Sequence, residues 1–290
     1  MATIHPTAIV EGECNFADDV KIGPWCVING PATIGAGATL IANVHVQGPV
    51  TIGERTIVYP GTCIGFPAQD VKFKLGDPTA GAVVGDDCIL REFVTIHAAT
   101  NTETPTRIGN RVFMMVQAHV GHDATLCDEV IMVNNSALGG HGHIGRKATI
   151  GGGSFIHQYC RIGRLAFVTG GIGVPNDVPP FCLCSDRNLL TGVNLVGLRR
   201  AGFARDDISH IRDAFRYAFR DHRPIQEMIS ILREIGEACP AVLEMAEFVD
   251  TPNRRAICAG VGRPSRSLAY WLQKMRKGED LSAVLELEND

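Results

Sequence analysis

The sequence predicts a mainly β chain: a parallel β-helix of hexapeptide repeats followed by a small α-helical C-terminal domain. Three observations predict it. An apolar residue returns every sixth position, the fifth position of each unit is mostly small, and beyond about residue 190 helical spacing replaces the six-residue period. A period of six matches neither the 3.6 of a helix nor the 2 of a half-buried strand. It matches a short strand plus a turn, stacked coil upon coil.

The repeat starts at once. Apolar residues fall at Ile4, Val10, Phe16, Ile22, Ile28, Ile34, Leu40, Val46, Ile52, Val58 and Ile64. After a break they resume at Val84, Leu90 and Ile96, and then run from Ile108 through Met114, Val120, Leu126, Met132, Leu138, Ile144, Ile150, Ile156, Ile162 and Val168 to Val174. The small fifth position is occupied by Ala8, Cys14, Cys26, Ala38, Cys88, Ala118, Ala124, Ser136, Ala148 and Cys160, among others. Both positions are expected to face a narrow prism, which makes those cysteines small core residues. Glycine often follows the apolar residue, as in Ile22-Gly23 and Ile52-Gly53, and is expected to take the backbone through the corner.

Two stretches interrupt the period, near 66–82 and 98–106, and read as loop excursions from the solenoid. Such insertions tend to lie on the binding face. The repeat ends at Val174-Pro-Asn-Asp-Val-Pro-Pro-Phe181, where the prolines are expected to stop β pairing. Asp206 and Asp207 then mark a helix start, followed by Ile208, Ile211, Phe215, Ala218 and Phe219 at helical spacing. Pro224 opens a second helix, and further helices are expected over 241–248 and 265–277. The expected domains are therefore residues 1–189, the β-helix, and 190–290, the helical domain with an extra tail after about 260.

Composition narrows the function. Of 290 residues 32 are glycine and 6% are aromatic, which suits a thin repetitive scaffold. The net charge of −4 disfavours nucleic-acid binding. Ten cysteines without a CxxC pair point to a reducing compartment, here the cytoplasm. The N-terminus, Met1-Ala-Thr-Ile-His-Pro6, does not read as a secretory signal. No apolar run reaches the roughly 20 residues of a transmembrane helix.

Chemistry concentrates between residues 114 and 158. His119, His122, Asp123, His141, His143 and His157 crowd a segment whose repeat needs none of them. Three units make one turn of a triangular prism, so residues 18 apart stack. Gly140 lies one turn beyond His122, and His141 and His157 are expected on the same strip. His122 then reads as a general base supported by Asp123, and the Gly140 N–H as a donor to a developing oxyanion. Cross-turn histidines could instead bind zinc. Asp70, Lys72 and Lys74 on the first loop are further candidates, and Asn194 with Arg199-Arg200 suits a phosphate-bearing ligand. The stripe Arg212, Arg216 and Arg220 reads either as a partner surface or as a solvated face.

The motifs His119-Val-Gly-His-Asp123, Asn134-Asn-Ser-Ala-Leu-Gly-Gly-His141, Ile156-His-Gln-Tyr-Cys160, Asp177-Val-Pro-Pro180 and Gly192-Val-Asn-Leu-Val-Gly-Leu-Arg-Arg200 resemble the acyl-[acyl-carrier-protein]:UDP-N-acetylglucosamine O-acyltransferases of lipid A biosynthesis. The resemblance spans residues 2–260. It implies that the β-helix is left-handed and that three identical chains form a trimer with sites between them. It implies transfer of a 3-hydroxyacyl chain from acyl carrier protein to the glucosamine 3-position of UDP-N-acetylglucosamine, without metal or other cofactor. His122, Asp123 and Gly140 would be catalytic. Asp70, Lys72, His119, His141, His157 and Gln158 would contact the sugar nucleotide or acyl chain, and Asn194 and Arg200 the UDP. Gly170 would set acyl-chain length and resembles members taking longer chains. Val196 and Ala201 depart from the pattern, where some members carry an acidic and a basic residue. Two other readings stay open: acyl transfer to a 3-amino sugar nucleotide, and a metal-dependent enzyme like the γ-class carbonic anhydrases. A non-catalytic scaffold is a third.

Overall fold

The computed structural model describes residues 1–220 and 223–260. The helix expected over 265–277 and the tail beyond about 260 lie outside these residues. The chain forms a left-handed parallel β-helix of three sheets, followed by helices. Consecutive strands visit the first, second and third sheet in turn, and each strand pairs in parallel with the strand one coil away. His119 pairs with Ala137 and Ala137 with Phe155, a stacking step of 18. The six-residue period is therefore one face of the prism and the 18-residue period one coil.

The apolar position of every repeat from Ile22 to Val174 is buried and fills the prism interior. The small position is buried beside it, including Cys26, Cys88 and Cys160, while Cys14 near the open N-terminal end is half-buried. All ten cysteines are free thiols.

The corners correct one expectation. Glycine after the apolar residue does not make the turn. The turning residue stands two positions later, in the left-handed region, and is mostly not glycine: Asp87, Arg111, Asp123, His141, Lys147, Tyr159. Several corners are β-turns closed by a backbone bond, such as Gly142 N–H to Gly139 O at 3.1 Å. The glycine instead permits close approach. A Cβ on Gly23 would sit 1.7 Å from Ile41 O, and one on Gly121 2.8 Å from Gly140 N.

The prolines end the repeat but not strand pairing. Pro179 and Pro180 lie ahead of a strand, Cys182–Asp186, where no ladder N–H is lost. That strand joins the first sheet beside Phe167–Val168 and turns back as an antiparallel hairpin through Leu189–Val193. Ala259–Gly260 adds a further strand. The boundary expected at 189/190 falls inside this hairpin.

Helices follow as α1 (Leu195–Arg200), α2 (Arg205–Ala218), α3 (Ile225–Gly236) and α4 (Pro240–Asp250). Arg199 and Arg200 form the last turn of α1, where cations suit the helix dipole. A hydrogen-bonded carboxylate and an ion pair dock the helices on the last coils. Arg161 Nε donates to Asp177 Oδ2 at 2.7 Å, with Asn253 Nδ2 on the same carboxylate at 2.8 Å. Arg164 meets Glu244 on α4 at 2.6 Å. Among the described residues no helix is long and apolar enough to cross a membrane.

Candidate active site

The corner between the second and third sheets holds His122 and Asp123. There Gly121-His122-Asp123-Ala124 joins strand His119–Val120 to strand Thr125–Leu126. Asp123 takes the left-handed position of the turn, with φ 58°, which Asp tolerates better than most residues. This conformation turns its carboxylate back onto the preceding side chain. His122 donates from Nδ1 to Asp123 Oδ2 at 2.7 Å. An ionised carboxylate only accepts, so the hydrogen sits on Nδ1 and Nε2 keeps a lone pair. His122 is only 9% exposed, so water competes little for that lone pair.

Asp123 is itself held by the second loop excursion. The Thr100 N–H donates to it at 3.0 Å, the Thr100 hydroxyl at 2.7 Å and Asn101 Nδ2 at 2.8 Å. Burial pushes its pKa up, but the hydrogen bonds from His122 and Thr100 outweigh burial and hold the carboxyl below its ordinary value. Thr100 and Asn101 went unassigned in the sequence. Their signal was the excursion itself, which interrupts the repeat one coil before His122.

Gly140 lies one coil on, directly against the His122 ring. A Cβ there would sit 2.6 Å from His122 Nε2. Any side chain would therefore displace the imidazole. Among the described residues the Gly140 N–H has no hydrogen-bond acceptor and remains free for a ligand.

The 18-residue step sorts the other histidines. Asp123, His141 and Tyr159 form one column of left-handed turn residues. The His141 ring stacks on Tyr159, with centroids 4.6 Å apart, and its Nε2 lies 3.6 Å from Asp123 Oδ2. Burial lowers the His141 pKa, partly opposed by Asp123. His157 is not on that column, contrary to the single strip expected. It stands beside it, where Arg255 donates to its Nδ1 at 2.6 Å and to the Gln158 carbonyl at 3.0 Å. Arg254 covers the Tyr159 ring at 4.3 Å. Tyr159, Arg254 and Arg255 were missed; nothing local in the sequence ties two arginines after α4 to a corner about a hundred residues earlier.

His119 precedes this corner. Its Nδ1 bonds the Thr95 hydroxyl at 2.8 Å and its ring meets His97 edge-on. Burial first, then neighbouring His97 and His122, push its pKa down to about 4. His97, also unassigned, donates from Nδ1 to Pro67 O at 2.7 Å and so anchors the first excursion. His143 lies apart from this corner, with Nε2 3.6 Å from Cys127 Sγ.

The two excursions enclose a cleft of about 520 Å³, lined by Asp70, Lys72, Phe73, Thr100 and Asn101. Asp70 also accepts from the Lys72 N–H at 2.8 Å, which fixes this loop. The remaining predicted residues occupy other edges of the prism. Asn194 and Arg200 border a separate groove of about 540 Å³ along the first sheet, with Phe113, Ile131 and Lys147. There Asn194 caps α1 by accepting from the Gly197 N–H at 2.9 Å and donates to Leu165 O at 2.8 Å. Gly170 sits at the corner between the first and second sheets, where a Cβ would approach Gly152 O to 2.9 Å. One chain therefore does not bring Asn194, Arg200 or Gly170 to His122.

His122, Asp123 and His141 place possible ligand atoms within 4.8 Å of one another. However, the Asp123 oxygens already accept from Thr100, Asn101 and His122, which suits proton transfer better than metal ligation. A buried base with a free lone pair, an ionised orienting partner and a free N–H beside them can deprotonate a hydroxyl and stabilise an oxyanion.

A family profile described as "Udp N-acetylglucosamine O-acyltransferase; Domain 2" matches residues 177–258, and another described as "Bacterial transferase hexapeptide (six repeats)" matches residues 31–65. The acyl-[acyl-carrier-protein]–UDP-N-acetylglucosamine O-acyltransferase of Thermodesulfovibrio yellowstonii is 39% identical over 260 residues, covering 89% of this chain and 100% of that protein. That of Stutzerimonas stutzeri is 34% identical, covering 88% of this chain and 98% of its own. Among solved structures, the UDP-N-acetylglucosamine acyltransferase of Francisella novicida matches with a TM-score of 0.85 at 29% identity, over 92% of this chain and 99% of that one. The UDP-N-acetylglucosamine O-acyltransferase of Moraxella catarrhalis matches with a TM-score of 0.83 at 32% identity, over 88% and 99%.

Proposed function

The chain belongs to the acyl-[acyl-carrier-protein]–UDP-N-acetylglucosamine O-acyltransferases, and we propose that His122, Asp123 and Gly140 carry out that reaction. The enzyme transfers an acyl chain from acyl carrier protein to UDP-N-acetylglucosamine, the first step of lipid A biosynthesis. The bond between His122 Nδ1 and Asp123 is the observation that carries the mechanism. Nε2 takes the proton of the glucosamine 3-hydroxyl as its oxygen attacks the thioester carbonyl of a 3-hydroxyacyl chain. The Gly140 N–H receives the negative charge that builds on the carbonyl oxygen. Collapse breaks the C–S bond, and the imidazolium returns its proton to the departing thiolate. Asp123 stabilises the imidazolium between these steps.

Asp70, Lys72, His119, His141, His157 and Gln158 would hold the sugar and the acyl chain near this corner. Asn194 and Arg200 would hold the UDP of a substrate bound to a neighbouring chain. That division supports a homotrimer, because the groove beside Asn194 and Arg200 lies on a different edge from His122. The exposed aromatic residues Trp25, Phe93 and Phe155 would be covered in such an assembly. The ten free thiols suit a reducing cytoplasm.

The test is incubation with UDP-N-acetylglucosamine and a panel of 3-hydroxyacyl carrier proteins, with the product read by mass. An ester on the sugar with wild type, lost with His122→Ala in a protein of unchanged size, is expected. Near-normal turnover by His122→Ala would remove the assigned base.

A further inference from the structure

A second cluster of ligating side chains lies in the helical domain, away from the acyl-transfer corner. Asp207 and His210 stand three residues apart in the first turns of α2 and so share a face. Cys239 precedes α4 as its N-cap residue and is fully buried, yet its side chain caps nothing. The three side chains converge, each with a possible ligand atom within 4.8 Å of the others.

Two features of the cluster suit a metal ion. His210 Nδ1 is buried with no hydrogen-bond partner among the described residues, and leaving such a group unpaired destabilises the fold. The Cys239 thiol donates to Asp207 Oδ1 at 3.6 Å, which aims its sulfur at that carboxylate. A tetrahedral zinc, with its usual bonds to sulfur and oxygen, separates those ligands by about 3.6 Å.

We propose that Asp207, His210 and Cys239 form a zinc site that fastens the connection between α3 and α4 to the first turns of α2. Thiolate with imidazole selects a borderline ion such as zinc over magnesium or calcium. Metal entry replaces the Cys239 S–H bond by a sulfur–metal bond, and the proton leaves to solvent. It also gives the imidazole of His210 a partner. Three protein ligands leave the fourth tetrahedral position to water.

The test uses the full chain, stripped with a chelator and reloaded with cobalt(II) as a spectroscopic stand-in for zinc. One cobalt per chain with a sulfur-to-cobalt charge-transfer band is expected. The band should vanish in Cys239→Ser and weaken in His210→Asn, with folding checked by circular dichroism. Zinc should raise the melting temperature of wild type by about 3 °C or more, and of Cys239→Ser by none. A band that survives Cys239→Ser, or metal content that follows His141→Ala instead, would overturn the site. Bound cobalt without the charge-transfer band, with no thermal shift from zinc, would be an adventitious ion only, and would equally reject it.

Discussion

His122 and Asp123 are consecutive in the chain, yet their side chains meet at 2.7 Å. Neighbours in a strand point to opposite faces. Here the left-handed turn at Asp123 folds the carboxylate back onto the imidazole. The pair is thus a property of the corner.

This relationship makes Asp123→Asn more informative than removal of the side chain. Three donors besides His122 already point at this position, from Thr100 and Asn101. An amide that donates toward His122 reverses its tautomer and places the hydrogen on Nε2. A fall in kcat of about 10²–10⁴-fold is expected, close to that of His122→Ala. A loss below tenfold in steady-state assays would separate Asp123 from the base.

His119 should make the fold sensitive to acid. Its pKa drops from the ordinary 6.5 to about 4 on folding. Between these values the unfolded chain binds the proton and the folded chain does not, so stability falls as pH drops from about 6.5 towards 4. Urea midpoints measured at pH 7 and pH 5 should differ less in His119→Gln than in wild type. An unchanged difference would clear His119 of this role.

Asp177 is wholly buried and bridges Arg161 in the solenoid to Asn253 after α4. Removing one partner of such a pair strands the other charge. Asp177→Ala should cost about 3–5 kcal/mol in denaturant unfolding. Retention of full stability would mean that the remaining contacts, the Arg164–Glu244 pair among them, suffice to dock the helices.

Gly121 closes against the coil bearing the proposed oxyanion donor, with only 2.8 Å available between a new Cβ and Gly140 N. Gly121→Ala should cost about 1–3 kcal/mol and displace the Gly140 amide as well. Both the urea midpoint and kcat are then expected to fall. A stable variant with a normal rate would show that the coils can part there without consequence.

Gly170 tests the limit on acyl-chain length that the resemblance implies. Filling this corner with Gly170→Met should move the preferred donor to a shorter 3-hydroxyacyl chain, read by competition between carrier-bound chains of different length. An unchanged preference would locate the length limit elsewhere.

The solenoid was legible because its core is periodic: one buried apolar residue every six, from Ile22 to Val174. That His122, Asp123 and Gly140 meet at one corner was legible through the 18-residue coil that follows from that period. Thr100 and Asn101 were half-visible, since their loop breaks the repeat. Arg254 and Arg255 were invisible, because long-range docking leaves no period. Glycine was misread at the corners: its lack of a Cβ serves the packing of one coil on the next, while Asp, His and Tyr tolerate the turn.

That choice of turning residue gives the edge a translational symmetry. Strands stack about 4.8 Å apart, so corner side chains project as rungs at that interval. Deleting one whole coil would slide every later rung along the axis and keep it on its edge. Deleting a single six-residue unit would turn all later chemistry onto the next face of the prism. Outside the two loop excursions, the prism thus keeps its edges only through length changes of whole coils, and the position of His122 and Asp123 along it is counted in the same unit.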